Sequence, residues 1–264
     1  MKNFDFSRPQ SVADAVALLQ ADAAAKLLAG GQSFLPVLKL DLAQPSQVIS
    51  LAAVGDLKGI RSEGDALVIG ALATHDEVSR SAEVRQRIPG LAALAGEIGD
   101  PQVRNRGTIG GSLAHADPAA DYPAAVLALG ATITTDRRTI AADDYFTGLF
   151  ATALAPDEII TAVRFPVPER AAYAKFRHPA SKYALVGVMV AKTGGAVRVA
   201  VTGAGTSALR VPALEAALGA DFSPDAVGAG VVAAADLRSD GDASAEYRAH
   251  LVSVMARRAV RACL

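Results

Sequence analysis

The sequence has 264 residues, of which 51% are hydrophobic and 20% charged, a composition that supports a sizeable core and argues against disorder. The 26 basic and 27 acidic side chains balance to a formal net charge of -1, so no excess of charge points to nucleic acid or an anionic membrane. The single cysteine, Cys263, excludes an internal disulfide framework, and the four scattered histidines form no cluster of metal ligands.

Targeting and membrane signals are also missing from the sequence. No apolar stretch reaches the ~18 residues that a bilayer-spanning helix needs. The opening residues, MKNFDFSRPQ, lack the apolar segment of a signal peptide. We therefore expect a soluble cytoplasmic protein, whose length fits one large domain or two to three smaller lobes.

The first lobe, residues 1–54, is predicted to begin with a helix. Ser11 precedes an apolar run with helical spacing, and Asp14 follows three residues later, as in a capping pair. Two short apolar runs then fit strands, at residues 26–29 and 47–51.

The second lobe, residues 55–167, mixes both kinds of element. Thr74 and Glu77 have the spacing of a capping box, which predicts a helix through about Arg87. Further strands are predicted at residues 66–70, 132–135 and 158–165, and further helices at residues 91–98 and 123–129.

The third part, residues 168–264, follows a stretch that resembles a linker, with Pro166, Pro168 and Glu169. Gly194-Gly195 supplies a turn between two strands. The predicted strands lie at residues 172–177, 186–192 and 196–203. A final helix, capped by Ser244, has apolar positions that recur at helical spacing.

Two glycine motifs carry the strongest functional signal in the sequence. The first reads LLAGGQSF at residues 27–34, and the second lies within NRGTIGGSLAHADPAADYP at residues 105–123. Without a Cβ, a Gly-Gly turn lets the backbone approach a ligand closely, and inward-pointing N–H groups form a nest for anions. Two such turns that face each other, with neutral hydroxyl and amide side chains, would suit a buried pyrophosphate.

Ordinary turns remain an alternative interpretation of both motifs, because Gly-Gly pairs are common in tight turns. Neither motif matches the dinucleotide fingerprint GxGxxG, and neither is a P-loop, since no GK[ST] follows. The residues by themselves therefore predict only an anion site.

Together, AGGQS at 29–33 and TIGGS at 108–112 resemble the paired flavin motifs of one enzyme family. This family is the medium, FAD-binding subunit of molybdenum hydroxylases, in the carbon monoxide dehydrogenase and xanthine dehydrogenase superfamily. The resemblance continues at residues 145–166, 175–188 and 243–259, so it covers essentially the whole chain.

The resemblance implies an α+β fold. A two-lobed FAD-binding domain of the vanillyl-alcohol oxidase (PCMH) type would be followed by a C-terminal domain with a small antiparallel sheet and a helical bundle. FAD would lie between the first two lobes, with its pyrophosphate between the glycine motifs. The implied cofactor-binding residues are Leu27, Leu28, Ala29, Gly30, Gly31, Gln32, Ser33, Phe34, Thr108, Ile109, Gly110, Gly111, Ser112, Asp121, Ile160 and Lys175.

The resemblance also implies partner subunits, with no catalytic side chain or metal ligand in this chain. A large molybdopterin subunit would oxidise the substrate, and a small subunit would carry two two-iron two-sulfur clusters. Such clusters need about four thiolates each, and this chain has one cysteine. The expected assembly is a heterotrimer or a dimer of heterotrimers, in which FAD passes electrons to a quinone, NAD or oxygen.

One segment departs from the family pattern. Many relatives have an acidic residue before an aromatic after the KF motif, whereas here Lys182 precedes Tyr183. The departure leaves the surroundings of the flavin ring and the electron acceptor open. A flavin-free scaffold and a stand-alone FAD oxidase stay open as alternative functions. We interpret His115 and Asp117 as structural, and His75 as part of a helix start.

Overall fold

In the computed structural model, which describes residues 2–264, the chain begins with a three-stranded parallel sheet. Its strands are β1 (Asp5–Ser7), β2 (Lys26–Leu28) and β3 (Gln47–Ser50), with β3 in the middle. The connecting helices are α1 (Val12–Ala21) and α2 (Phe34–Lys39). Ser11 caps α1 by accepting a hydrogen bond from the Asp14 backbone, which confirms the predicted helix start.

The middle of the chain forms a five-stranded antiparallel sheet beside a small hairpin. The strands of this sheet are β4 (Ile60–Glu63), β5 (Ala66–Gly70), β6 (Thr132–Thr135), β7 (Thr139–Ala141) and β10 (Ile160–Pro166), and the hairpin is formed by β8 (Phe146–Gly148) and β9 (Ala151–Thr152). The order of the strands across the sheet is β4-β5-β10-β6-β7. The helices of this part are α3 (His75–Arg80), α4 (Ala82–Arg87), α5 (Pro89–Gly96), α6 (Pro101–Arg104), α7 (Ile109–His115), α8 (Tyr122–Ala128) and α9 (Ala142–Tyr145).

The capping box predicted at Thr74 is present, with both reciprocal hydrogen bonds to Glu77. The single helix predicted through about Arg87 is wrong, because the chain divides it at Ser81. Ser81 leaves the helical region, and its side chain accepts a hydrogen bond from the Val84 backbone. Ser81 is therefore a second N-cap, and a new helix begins after it at a place where the sequence pattern predicted a continuous helix.

The last part of the chain is a four-stranded antiparallel sheet covered by two helices. Its elements are β11 (Arg170–Arg177), β12 (Ala184–Thr193), β13 (Ala196–Thr202), β14 (Leu209–Arg210), α10 (Pro212–Ala220) and α11 (Ala245–Cys263). Successive side chains of β12 point to opposite faces, so Met189 joins the core of the middle part and Val188 joins the core beneath the helices. The sheet is therefore buried on both faces.

Two boundaries near the second sheet differ from the expectations. The strand expected to begin at Glu158 begins at Ile160, since Glu158 turns aside to bind Arg138. Pro166 belongs to the end of β10 rather than to the linker. The α+β class predicted from the sequence is confirmed, and within residues 2–264 every helix is too short or too polar to cross a bilayer.

Candidate cofactor site

A cavity of about 680 Å³ lies between the two glycine motifs. Its wall combines the end of β2, the start of α2, the first turns of α7, and the segments at residues 117–121, 152–160 and 181–183. Most of these segments are loops held between the sheets, which is where protein folds commonly place ligand-binding residues.

The first glycine motif offers a run of free backbone donors. β2 ends at Leu28, and Gly31 adopts the left-handed region at φ +77°, which turns the chain toward α2. Within residues 2–264, no group accepts a hydrogen bond from the backbone N–H of any residue from Gly30 to Phe34. All five residues of this run line the cavity, and successive backbone N–H groups without acceptors are what an anion-binding nest requires.

The second motif differs from the turn that the sequence predicted. Thr108 is the N-cap of α7, and Gly110 and Gly111 lie in the first helical turn. The N–H of Gly111 donates to the Thr108 hydroxyl at 3.1 Å, and the N–H of Gly110 donates to the Ala71 carbonyl at 2.9 Å. These donors are already used within the chain, so this wall presents the hydroxyls of Thr108 and Ser112 instead.

Close packing joins the two motifs into one structure. A Cβ at Gly30 would overlap the Arg106 carbonyl oxygen and would lie 2.9 Å from the Gly107 Cα. A Cβ at Gly110 would lie 2.6 Å from the Ala71 Cβ. The glycines are therefore needed for contact between backbones, in addition to any approach of a ligand.

Most of the residues expected at the site border the cavity. Those that do so are Leu27, Ala29, Gly30, Gly31, Gln32, Ser33, Phe34, Thr108, Gly110, Gly111, Ser112, Asp121 and Ile160. The exceptions are Leu28, which lies beneath Gly31, Ile109, which is fully buried in the middle core, and Lys175.

Lys175 lies behind Asp121, in a buried cluster of polar side chains. Its Nζ is 2.9 Å from one Asp121 carboxylate oxygen, and the Tyr173 hydroxyl donates to the same oxygen at 2.6 Å. Burial raises the pKa of Asp121, an effect that the Lys175 ammonium opposes. Asp121 therefore borders the cavity, while its carboxyl group is engaged by Lys175 and Tyr173.

The C-terminal sheet holds the segment that carries Asp121. The buried Thr202 hydroxyl lies 2.8 Å from the Pro118 carbonyl oxygen and 2.6 Å from that of Ala120. The Gly203 N–H also donates to the Pro118 carbonyl, at 2.7 Å. The end of β13 thus fixes one wall of a cavity built mainly from the earlier part of the chain.

Glu158 anchors another wall, the segment at residues 152–160. Its carboxylate accepts hydrogen bonds from the Arg138 guanidinium at 2.8 Å and from the Ala155 N–H at 2.9 Å. The bond from Arg138, with those from Ala155 and Thr135, lowers the pKa of the buried Glu158 to about 2 despite desolvation.

Sequence reasoning missed part of the cavity lining. His75 is the first residue of α3, as predicted, but its buried side chain also borders the cavity, as do Lys26, Glu158 and Lys182. Of these four residues, only Lys182 was linked to the site by the sequence, because it departs from the family pattern. Among the residues that the structure describes, no group of His, Cys, Asp or Glu could hold a metal ion.

His115 and Asp117 also border the cavity. The His115 ring contacts the Phe150 ring, with centroids 5.2 Å apart, and Asp117 accepts a hydrogen bond from the Ala119 N–H at 2.8 Å. Arg104 is used for structure, since it donates to the carbonyl oxygens of Ile98 and Gly99.

Comparison with known proteins places the chain in a family. Residues 2–168 match the family model of the FAD binding domain in molybdopterin dehydrogenase, and residues 171–263 match that of the CO dehydrogenase flavoprotein C-terminal domain. The chain is 41% identical to the nicotine 6-hydroxylase medium subunit of Paenarthrobacter nicotinovorans, over 97% of this chain and 95% of the relative. It is 39% identical to the carbon monoxide dehydrogenase medium chain of Hydrogenophaga pseudoflava, over 98% and 96%.

Solved structures resemble the fold over its whole length. Carbon monoxide dehydrogenase from Hydrogenophaga pseudoflava, in a form that lacks the Mo-pyranopterin moiety, matches with a TM-score of 0.92 and 40% identity over 99% of this chain and 97% of that one. Quinoline 2-oxidoreductase from Pseudomonas putida 86 matches with a TM-score of 0.90 and 29% identity, over 100% and 98%. The chain therefore belongs to the FAD-binding medium subunits of the molybdenum hydroxylase family, which are components of oxidoreductase complexes.

Proposed function

We propose that this chain is the electron-transfer subunit of a heteromeric molybdenum hydroxylase. It would take electrons from two-iron two-sulfur clusters of a small partner subunit and deliver them to a quinone, NAD or oxygen. The observation that carries the proposal is that, within residues 2–264, the backbone N–H groups from Gly30 to Phe34 have no acceptor, and that all five residues line a cavity whose opposite wall is the second glycine motif.

The residues around the cavity fit FAD. A buried pyrophosphate needs several donors, and the first motif supplies free N–H groups without a stranded positive charge. Thr108 and Ser112 add neutral hydroxyls from the opposite wall. We assign the cofactor site to the residues expected from the resemblance that border the cavity, with Leu28, Ile109 and Lys175 supporting them from behind.

Bound FAD would supply the redox chemistry, because a flavin can hold one or two electrons and so can link one-electron clusters to a two-electron acceptor. The chain's own residues bind and orient the cofactor. Asp121 offers a carboxylate oxygen held in place by Tyr173 and Lys175, and Ile160 adds an apolar wall. No side chain of this chain is required as a nucleophile or as a general base.

The assembly we propose has a large molybdopterin subunit and a small iron–sulfur subunit, as a heterotrimer or a dimer of heterotrimers. This chain would then consist of two FAD-binding lobes, residues 1–54 and 55–167, and a C-terminal domain, residues 168–264. Substrate oxidation would take place in the large subunit, so the features of this chain do not select the substrate.

The test is cofactor analysis of the complex purified through an affinity tag on this chain. We expect two co-purifying subunits, acid-released FAD at one per copy of this chain, and flavin absorbance that bleaches when the iron–sulfur clusters are reduced. A complex with reducible clusters but without flavin would overturn the proposal and favour a scaffold. Flavin reduction by a substrate added to this chain alone would instead favour a stand-alone oxidase.

A further inference from the structure

The imidazole of His75 is a buried polar group without a hydrogen-bond partner. The residue is 5% exposed and borders the cavity. Within residues 2–264, neither ring nitrogen makes a hydrogen bond, and Nδ1 is fully enclosed. Because the great majority of buried polar groups are paired, such a side chain at a cavity wall points to a ligand.

The position of the ring is fixed by the elements on either side. The His75 N–H donates to the Gly107 carbonyl at 2.9 Å, and Thr74 forms a bridge with Thr108. The ring packs against Tyr122, with centroids 5.3 Å apart. A Cβ at Gly107 would overlap His75 Nε2, so the glycine makes the space that the ring occupies.

The same contacts bring the ring close to the first glycine motif. Gly107 contacts His75 on one side, and a Cβ at Gly30 would lie 2.9 Å from the Gly107 Cα on the other. His75 is therefore separated from the free N–H groups of the first motif by a single glycine.

The protonation state of the ring also suits a donor. Burial, with a smaller effect from the Arg104 charge, lowers the pKa of His75 to about 4, so the imidazole is neutral near pH 7. Buried N–H groups without an acceptor are rarer than buried acceptors without a donor. We therefore place the lone pair on the enclosed Nδ1 and the proton on Nε2.

We propose that His75 is a further cofactor-binding residue, which donates a hydrogen bond from Nε2 to a phosphate oxygen of the FAD between the glycine motifs. The inference rests on the proposed function, because it needs FAD in this cavity. It adds an imidazole donor to the backbone N–H groups, hydroxyls and amide side chain of the two glycine motifs.

The test compares three variants of the full chain by titration with FAD, with flavin fluorescence as the readout. His75→Leu removes the donor and should weaken FAD binding by about ten- to a hundred-fold, as expected for one hydrogen bond to a charged group. His75→Gln keeps an N–H donor at a similar reach and should bind within about three-fold of wild type. His250→Leu, at an exposed position of α11, is the matched control and should not change binding.

A second readout avoids the question of whether a variant folds. In the wild-type chain labelled with ¹⁵N-histidine, saturation with FAD should shift the Nε2 resonance of His75 and leave Nε2 as the protonated nitrogen. Unchanged His75 resonances, or equal binding by the Leu and Gln variants, would overturn the role of His75 while the proposed function stands. A wild-type chain that does not bind FAD would instead overturn the proposed function, and this inference with it.

Discussion

Gly30 packs directly against the carbonyl group of Arg106, at the point where the two glycine motifs meet. A Cβ at Gly30 would overlap that oxygen and approach the Gly107 Cα, and both atoms belong to backbone that cannot swing aside. Gly30 is thus required by the protein's own packing, and it also begins the run of residues, Gly30 to Phe34, that lines the cavity.

Gly30→Ala should therefore damage both folding and FAD binding. We expect a loss of about 1–3 kcal/mol in the free energy of unfolding, the usual cost of an overpacked position, and FAD binding at least ten-fold weaker. The measurements are urea unfolding and flavin fluorescence titration. Gly219→Ala is the control, because a Cβ at this position of α10 meets nothing within 4 Å and alanine favours the helix. Equal stability and affinity of both variants would contradict the packing argument.

A second prediction concerns the buried pair of Asp121 and Lys175. Removing either partner should destabilise the protein, but by different amounts. Asp121→Asn leaves the fully buried Lys175 ammonium without its counter-ion and should cost about 3–5 kcal/mol of unfolding free energy. Lys175→Met leaves a carboxyl group whose pKa burial already raises, so this group can stay protonated and the cost should be smaller.

The sign of the pH dependence follows from the same shift. A group whose pKa is raised in the folded protein contributes stability at low pH and loses it as the pH rises through the folded value. The destabilisation of Lys175→Met should thus be larger at pH 8 than at pH 5, as measured by urea unfolding at both. The exposed Arg80, which pairs with Asp76, is the control, since Arg80→Met should change stability by less than about 1 kcal/mol. A Lys175→Met variant with the same stability loss at both pH values would contradict this prediction.

The sequence was sufficient to predict helix starts that depend on contacts between residues close together in the chain. The helix starts at Ser11 and Thr74 were predicted because each cap bonds a residue three positions away. The break at Ser81 was missed, since a serine there is compatible with a continuing helix as well as with a second cap. The family resemblance then supplied the pairing of the two glycine motifs, which no local pattern contains.

Features of the site that depend on distant contacts could not be predicted. The N–H groups of Gly110 and Ile109 in the second motif are not free, because they donate to the carbonyl oxygens of Ala71 and Ala73. These acceptors lie far away in the sequence, so no local pattern indicates the bonds. His75 was identified only as a helix residue, because its approach to Gly107 is set by tertiary packing. Lys175 was expected beside the cofactor, but the burial that directs it to Asp121 is a property of the assembled sheet.

Glu158 should make the protein sensitive to acid. Its pKa is lowered in the folded protein to about 2 from an ordinary value of 4.5, so its stabilising effect is complete above pH 4.5 and is lost as the pH falls. The shift corresponds to up to about 3 kcal/mol, of which roughly 2 kcal/mol should be lost by pH 3. Urea unfolding should show Glu158→Gln much less stable than wild type at pH 7, with the difference shrinking toward pH 3. Glu83→Gln, at an exposed position of α4, should show no such change, and a constant difference for Glu158→Gln would refute the prediction.

Thr202 should link the C-terminal sheet to FAD binding. Its buried hydroxyl holds the carbonyl groups of Pro118 and Ala120, and the segment between them and Asp121 forms a wall of the cavity. Thr202→Val keeps the shape of the side chain but removes the donor, which should cost about 1–3 kcal/mol of unfolding free energy.

FAD binding by Thr202→Val should also weaken, by several-fold, because Asp121 is no longer held in register with the glycine motifs. Thr193→Val is the matched control, since its hydroxyl, at the far end of β12, makes no hydrogen bond within residues 2–264. The readouts are urea unfolding and flavin fluorescence titration of both variants. A Thr202→Val variant that loses stability but keeps wild-type affinity would show that the wall is held without the C-terminal sheet. Loss of affinity confined to Thr202→Val would instead make β13 part of the machinery that positions the cofactor.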